Sequence, residues 1–135
     1  LAERFARIEI IDSVAYAAQH LLPHLRVTRK LGSAVLHPTC SDRHAGDLPH
    51  LLACAQACAD TVIVPDAAGC CAFAGDRGML HPELTASATR AEASEVRKAT
   101  YDAYLSSNRT CELGMTRATG QTYRHVLELL AELTA

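Results

Sequence analysis

Four of the six cysteines in this 135-residue sequence, Cys40, Cys70, Cys71 and Cys111, are placed where thiol chemistry could gather. A cysteine binds metal or reacts only as its thiolate, so several in one place call for a positive local field. Four thiolates suffice for a metal–sulfur group. The adjacent pair Cys70 and Cys71 differs from structural zinc sites, which favour C-x2-C pairs wrapped on one ion. A cluster spreads its iron atoms, so neighbouring cysteines can reach different irons. Gly69 and Gly75, with Ala72, Ala74 and Gly78, surround the pair and leave room for a bulky inorganic core. Their backbone N–H groups could donate to sulfur and tune its potential. Gly69 and Gly75 are therefore the candidate cofactor contacts, and the four cysteines the candidate ligands.

The other reactive types read as structure. Cys54 and Cys58 stand four residues apart beside an apolar helical stripe, where a free cysteine behaves as a small hydrophobe. His37 lies three residues before Cys40 and is a group behind the ligands, a substrate-facing group or a strand-end histidine bound to backbone. His81, followed by Pro82 and Glu83, marks a helix start. His20, His24, His44, His50 and His125 have no evident partner in sequence. Arg43, Arg77 and Arg109 flank the cysteines and could supply positive charge, and Asp76 with Arg77 reads as a loop ion pair. No residue stands out as a catalytic acid, base or nucleophile.

The positions gain meaning from the elements that carry them. Ile8, Ile10 and Ile11 suggest a short strand. Asp12 and Ser13 are good helix caps, and Val14, Ala17, Ala18 and Leu21 follow at helical spacing until Pro23. Residues 25–28 and 33–37 read as strands joined by a turn at 30–32. A helix over Leu48–Cys58 precedes a β-branched strand at 61–65, of the kind buried in a parallel sheet. After the loop 69–78, Pro82 opens a helix to about Lys98. Ala103–Ser106 reads as the last strand. A final helix from about Gln121 carries Tyr123, Val126, Leu127 and Leu130 as a stripe. Alternating strands and helices predict a layered α/β domain with a mainly parallel sheet flanked by helices. Cys40, the Cys70–Cys71 pair and Cys111 then fall in three strand-to-helix loops. Such loops meet at the carboxyl edge of the strands, where ligand sites form.

Composition narrows the function classes. Hydrophobic residues make up 49% and charged residues 21%, with a net charge of -2, as in ordinary globular domains. The 13 Lys and Arg are scattered and aromatic residues are few, which argues against nucleic acid. No apolar run reaches the roughly 20 residues of a membrane span. Cysteine richness without a secretory-type leader points to a reducing, cytoplasmic compartment. The chain reads as one domain over residues 1–135. Its start at Leu1 within a regular pattern suggests the C-terminal piece of a longer polypeptide.

Five segments in order carry a family resemblance: HPTCSD at 37–42, GCCAFAGDRG at 69–78, HPEL at 81–84, SSNRTCELGM at 106–115 and ATG at 118–120. They resemble the C-terminal cysteine-rich, CCG-type domain of FAD-linked D-lactate dehydrogenases and glycolate oxidase-like iron–sulfur oxidoreductases. The family pattern of a lone Cys, a Cys-Cys pair and a C-x-x-C matches Cys40, Cys70 with Cys71, and Cys111. Two positions depart from it: Ala72 stands for a glycine, and Gly114 for the last cysteine.

The resemblance implies an electron-transfer domain holding an iron–sulfur cluster of 4Fe–4S type. FAD would belong to the full-length enzyme and not to this stretch, which has no G-x-G-x-x-G. The implied partners are the flavin and ferredoxin-like domains of the same polypeptide and a quinone or cytochrome acceptor. Peripheral placement at the inner face of a membrane is compatible with such an acceptor. Two alternatives stay open: a zinc-bound or metal-free docking module, and thiol catalysis with Cys70 and Cys71 as a redox pair. Against the latter, no C-x-x-C and no Cys–His base pair is readable.

Overall fold

Asp12 opens the first helix by accepting hydrogen bonds on Oδ1 from the backbone N–H of Val14 (2.7 Å) and Ala15 (3.3 Å). The computed structural model describes residues 8–135, so Leu1 lies outside the described residues. Helix α1 (Ser13–Tyr16) continues through a π-helical stretch, Ala17–Leu21, and a 3-10 turn, Leu22–His24, that contains Pro23.

Two expected strands are absent. Ile8 and Ile10 are 60% and 87% exposed, and among the described residues no strand runs beside them to pair with. Residues 25–28 stay outside the sheet because Thr28 is bound elsewhere. Its N–H and its hydroxyl both donate to the carbonyl of Leu133 near the C-terminus, at 2.8 and 2.9 Å. The expected turn at 30–32 also gives way, since Leu31 and Gly32 already belong to the first strand, β1 (Leu31–Leu36).

Helices α2 (Cys40–Ala45) and α3 (Leu48–Cys58) follow, then β2 (Ala59–Ile63). A short helix α4 (Arg77–Leu80) leads into α5 (Pro82–Val96), with Pro82 in its first turn. Next come β3 (Ala103–Ser106), α6 (Arg109–Thr119), the two-residue β4 (Arg124–His125) and α7 (Val126–Thr134). The layered α/β fold is as expected, and its four-stranded sheet is parallel throughout, in the order β2-β1-β3-β4. Strand β2 lies at an edge, with Thr61 exposed and Ile63 39% exposed, so it is not the buried strand its composition suggested.

Strand alternation sorts the core into two layers. Ala34, Leu36 and Leu105 pack with Leu51, Cys54, Ala55, Cys58, Val126, Leu129, Leu130 and Leu133 on one face. Val35 and Tyr104 pack with Val96, Met115 and Tyr123 on the other. Tyr123 therefore belongs to the opposite face from the α7 stripe it was expected to join.

The strand order reverses at β1. The chain leaves β1 toward β2 on one side, and β3 then pairs with β1 on the other. The crevice beyond the carboxyl ends of β1 and β3 is thus the sheet's topological switch point, the usual place for a ligand in an open α/β sheet.

Candidate metal centre

His37 is the first residue beyond β1, and the two central strands pin it there. Its N–H donates to Leu105 O (2.8 Å), and its carbonyl accepts from Ser106 Oγ (2.9 Å). The side chain is fully buried. Its Nδ1 meets both carboxylate oxygens of Glu92 at 2.8 and 2.9 Å, while its Nε2 is buried with no hydrogen-bond partner. Glu92 comes from the inner face of α5, where Thr85, Thr89, Glu92 and Val96 are buried in helical succession.

Cys40 follows at the first position of α2, inside the helix and not in a loop. A reciprocal cap sets that turn: Asp42 N–H donates to Thr39 Oγ1 (3.2 Å), and Thr39 N–H donates to Asp42 Oδ2 (2.8 Å). Ser107 Oγ also donates to Asp42 Oδ2 (2.6 Å), which ties the segment after β1 to the segment after β3. Asn108 then caps α6 by accepting from Thr110 N–H (3.0 Å), and Cys111 stands in the first turn of that helix.

The Cys70–Cys71 pair arrives on the long connection after β2. Cys70 is exposed and accepts from Ala72 N–H on its sulfur (3.3 Å), whereas Cys71 is buried. The backbone then takes left-handed conformations at Ala72 (φ 54°), Ala74 (φ 45°) and Gly75 (φ 69°). This coil turns Phe73 inward, fully buried, against Cys71 and Cys111. A Cβ at Gly78 would lie 2.5 Å from the Phe73 ring, so the ring seats directly on that glycine. Arg117 covers Phe73 with its guanidinium carbon 5.6 Å from the ring centroid.

The sulfurs of Cys71 and Cys111 are 3.0 Å apart, and a His37 ring nitrogen lies within 4.8 Å of both. Since Glu92 holds Nδ1, the nitrogen free to face them is Nε2. The hydrogen bond from the Cys111 thiol pulls Cys71 down to about 4, helped by His37 and a backbone bond from Phe73, against the effect of burial. Cys111, which keeps the proton, is pushed far up. Burial alone would lower His37, but Cys71 and Glu92 override it and raise the imidazole to about 9. The buried half of the site therefore holds a thiolate facing an imidazolium. In the solvent-facing half, partial burial and the neighbouring Cys70 push the Cys40 thiol up.

Cys71 and Cys111 are in contact at the switch point, and Cys40 and Cys70 lie close enough for their charges to act on each other and on that pair, two cysteines buried and two exposed. Cys54 and Cys58 are in the core beneath, where burial raises each thiol to about 11. Gly75 has open space around its missing Cβ and a positive φ, and Gly69 has only Ala67 O near, at 3.9 Å. Gly114 is closer in. A Cβ there would lie 3.7 Å from the Cys71 Cβ, 3.4 Å from Phe73 and 3.2 Å from Thr85. Arg109 is spent on the buried carboxylate of Glu112 (2.8 Å), and Arg43 donates to Ala68 O (3.3 Å). Asp76 and Arg77 do not pair with each other among the described residues.

The Cys–His contact that the sequence did not reveal joins His37 to Cys71, and the close dithiol is Cys71 with Cys111, not Cys70 with Cys71. Glu92 and Phe73 also went unread as site residues. The signal for Glu92 was a polar stripe, Thr85, Thr89 and Glu92, on the face of α5 that turns inward.

The donor set fits a thiolate-bound metal group: a buried thiol of lowered pKa, a second buried thiol beside it, two solvent-facing thiols and an imidazole nitrogen whose proton metal binding would displace. A single tetrahedral ion with Zn–S bonds of about 2.3 Å would hold two sulfurs roughly 3.8 Å apart, so Cys71 and Cys111 would part slightly to bind one. Cys40 and Cys70, facing solvent, have freedom to reach around a larger core. Comparison with family models, curated proteins and solved structures gave no match to this chain. No helix among the described residues is long and apolar enough to cross a membrane.

Proposed function

We propose that the chain is an electron-transfer domain holding an iron–sulfur cluster through Cys40, Cys70, Cys71 and Cys111. It would serve an FAD-dependent D-2-hydroxyacid dehydrogenase of D-lactate type. Electrons would pass from the flavin, carried elsewhere in that enzyme, toward a quinone or cytochrome. The observation that carries the proposal is the convergence of four cysteines from three separate strand-to-helix connections on one switch-point crevice. The flavin and the hydroxy acid rest on the motif resemblance.

The cluster, when bound, supplies one-electron chemistry. The protein's own part is to offer deprotonated sulfur and to exclude water from one side. The hydrogen bond from Cys111, with His37, holds Cys71 well below the usual thiol range, and Phe73, Cys71 and Cys111 close the inner wall. Cys40 and Cys70 leave the outer wall open, on the side where a redox partner could approach. Anaerobic reconstitution with iron and sulfide tests the proposal. A broad absorption near ~400 nm, lost in Cys71→Ser, is expected of a thiolate-held cluster.

One observation favours a second reading. His37, Cys71 and Cys111 offer ligand atoms within 4.8 Å of one another, the spacing of a single-ion site. On that reading the chain is a zinc-bound docking module of the same enzyme. Stoichiometric zinc in a colourless protein that takes up no iron would favour it.

A further inference from the structure

His37 has its two ring nitrogens in different situations. Nδ1 is held by both oxygens of the Glu92 carboxylate at 2.8 and 2.9 Å, and Nε2 is buried with no hydrogen-bond partner. A buried polar atom without a partner is costly, and each instance in a folded protein needs a reason. Here the reason lies across the crevice, since Cys71 and Cys111 sulfurs are within 4.8 Å of the ring. A carboxylate on Nδ1 keeps a proton there and fixes the ring plane, so that Nε2 presents its lone pair to the crevice once metal binding displaces its own proton. Metal-ligating histidines are commonly held in this way.

Gly114 supplies the complementary observation. Its absent side chain would point toward Cys71 and Phe73. A glycine there adds no donor, so the inner wall of the site has two sulfurs and, as its remaining free donor, the His37 nitrogen. The backbone bonds to Leu105 and Ser106 hold His37 in place from below, so its position does not depend on a mobile loop.

We propose that His37 ligates the metal–sulfur centre through Nε2, and that Glu92 is the positioning residue that orients it. This rests on the iron–sulfur reading above. The centre is then one of mixed thiolate and imidazole ligation, with the imidazole on the buried side and Cys40 and Cys70 on the solvent side. A neutral imidazole adds a ligand without the negative charge that a cysteine at position 114 would bring, which keeps the potential of the centre higher than a fifth thiolate would.

The test uses the whole chain, reconstituted anaerobically with iron and sulfide, reduced, and studied by pulsed electron paramagnetic resonance. Protein is prepared with natural histidine and with 15N-histidine. Directly bound imidazole predicts a strong nitrogen hyperfine coupling that changes with the label. This comparison needs no substitution, so it does not depend on how a variant folds. In Glu92→Gln the coupling should change, and iron should pass to a competing chelator about 10-fold more readily, as for other groups behind a metal ligand. In His37→Ala the histidine coupling should vanish. A cluster that assembles with no label-sensitive nitrogen coupling overturns the inference and leaves the cluster proposal standing. A coupling that persists in His37→Ala does the same. A chain that binds no iron and sulfide overturns both.

Discussion

Replacing Gly78 with alanine places a methyl group where the Phe73 ring already is. The added carbon would lie 2.5, 2.7 and 2.8 Å from Cγ, Cδ2 and Cδ1 of a fully buried side chain. Phe73 has little room to retreat. Its other side meets Cys71 and Cys111, Arg117 covers it, and Gly114 leaves only 3.4 Å between a would-be Cβ and the ring. Overpacking of this sort costs about 1–3 kcal/mol. With an unfolding entropy of roughly 2.1 cal/mol/K per residue, that corresponds to a fall in Tm of about 4–11 °C for this chain. The assay is thermal unfolding of reduced, metal-free Gly78→Ala followed by circular dichroism, with iron uptake measured on the same preparation. Both should fall, because displacing Phe73 moves the wall that carries Cys71. Phe73→Leu in the Gly78→Ala background should recover part of the loss, giving a coupling between the two sites. A Tm within about 1 °C of the parent, where the overpacking cost predicts several degrees, would refute the seating of Phe73 on Gly78.

Three further outcomes follow from the same geometry. For the reduced, metal-free protein, stability should rise from about pH 4 to about pH 6.5, stay level to about pH 9 and fall above it. Raised His37 stabilises fully below 6.5 and loses this through about 9, whereas lowered Cys71 gains from about 4 up to 9.0, so the two offset each other between. The rising limb is about 3 kcal/mol, one proton over the lower window at 1.36 kcal/mol per pH unit. The fall above 9 comes from Cys54, Cys58 and Cys111, whose thiols ionise first in the unfolded chain. Urea unfolding at a series of pH values measures this, and a stability that falls between pH 4 and 6.5 would contradict the thiolate–imidazolium pair. Ala72→Gly and Ala74→Gly should each raise stability by roughly 0.5–1 kcal/mol, since both alanines hold φ near 50°; an unchanged or lower urea midpoint for both would count against the coiled loop. Cys54→Ala and Cys58→Ala should each cost about 1–2 kcal/mol as small cavities in the core and leave iron uptake unchanged; reduced iron uptake at equal folding would move them into the site.

The limits of α3 and β3 were readable because each combines a clear apolar pattern with a sharp stop. Other strands were harder. Ile8–Ile11 has the right composition, but a strand needs a neighbour, and composition does not show that the described residues offer none. Residues 25–28 look extended and spend their hydrogen bonds on the end of α7, a contact 105 residues away in sequence. The two-residue β4 is too short for any periodicity to reveal. At the site, the cysteine positions were legible because parallel α/β connections converge on one edge. The role of Phe73 was not, because its seat depends on Gly78 lacking a side chain. Glu92 was hidden for a related reason: one of three acids on α5, it reads as solvated until the helix's inward face is known. The pairing of Cys71 with Cys111 depended on where the β2 connection re-enters the crevice, which left-handed turns at Ala72 and Ala74 decide.

The convergence of Cys40, Cys70, Cys71 and Cys111 is a claim about iron and sulfide, and its most direct measurement is their stoichiometry in the anaerobically reconstituted chain. The account predicts both elements bound together, with a visible spectrum that disappears when Cys71 or Cys111 is replaced by serine. Protein that folds normally and binds neither iron nor sulfide would contradict it.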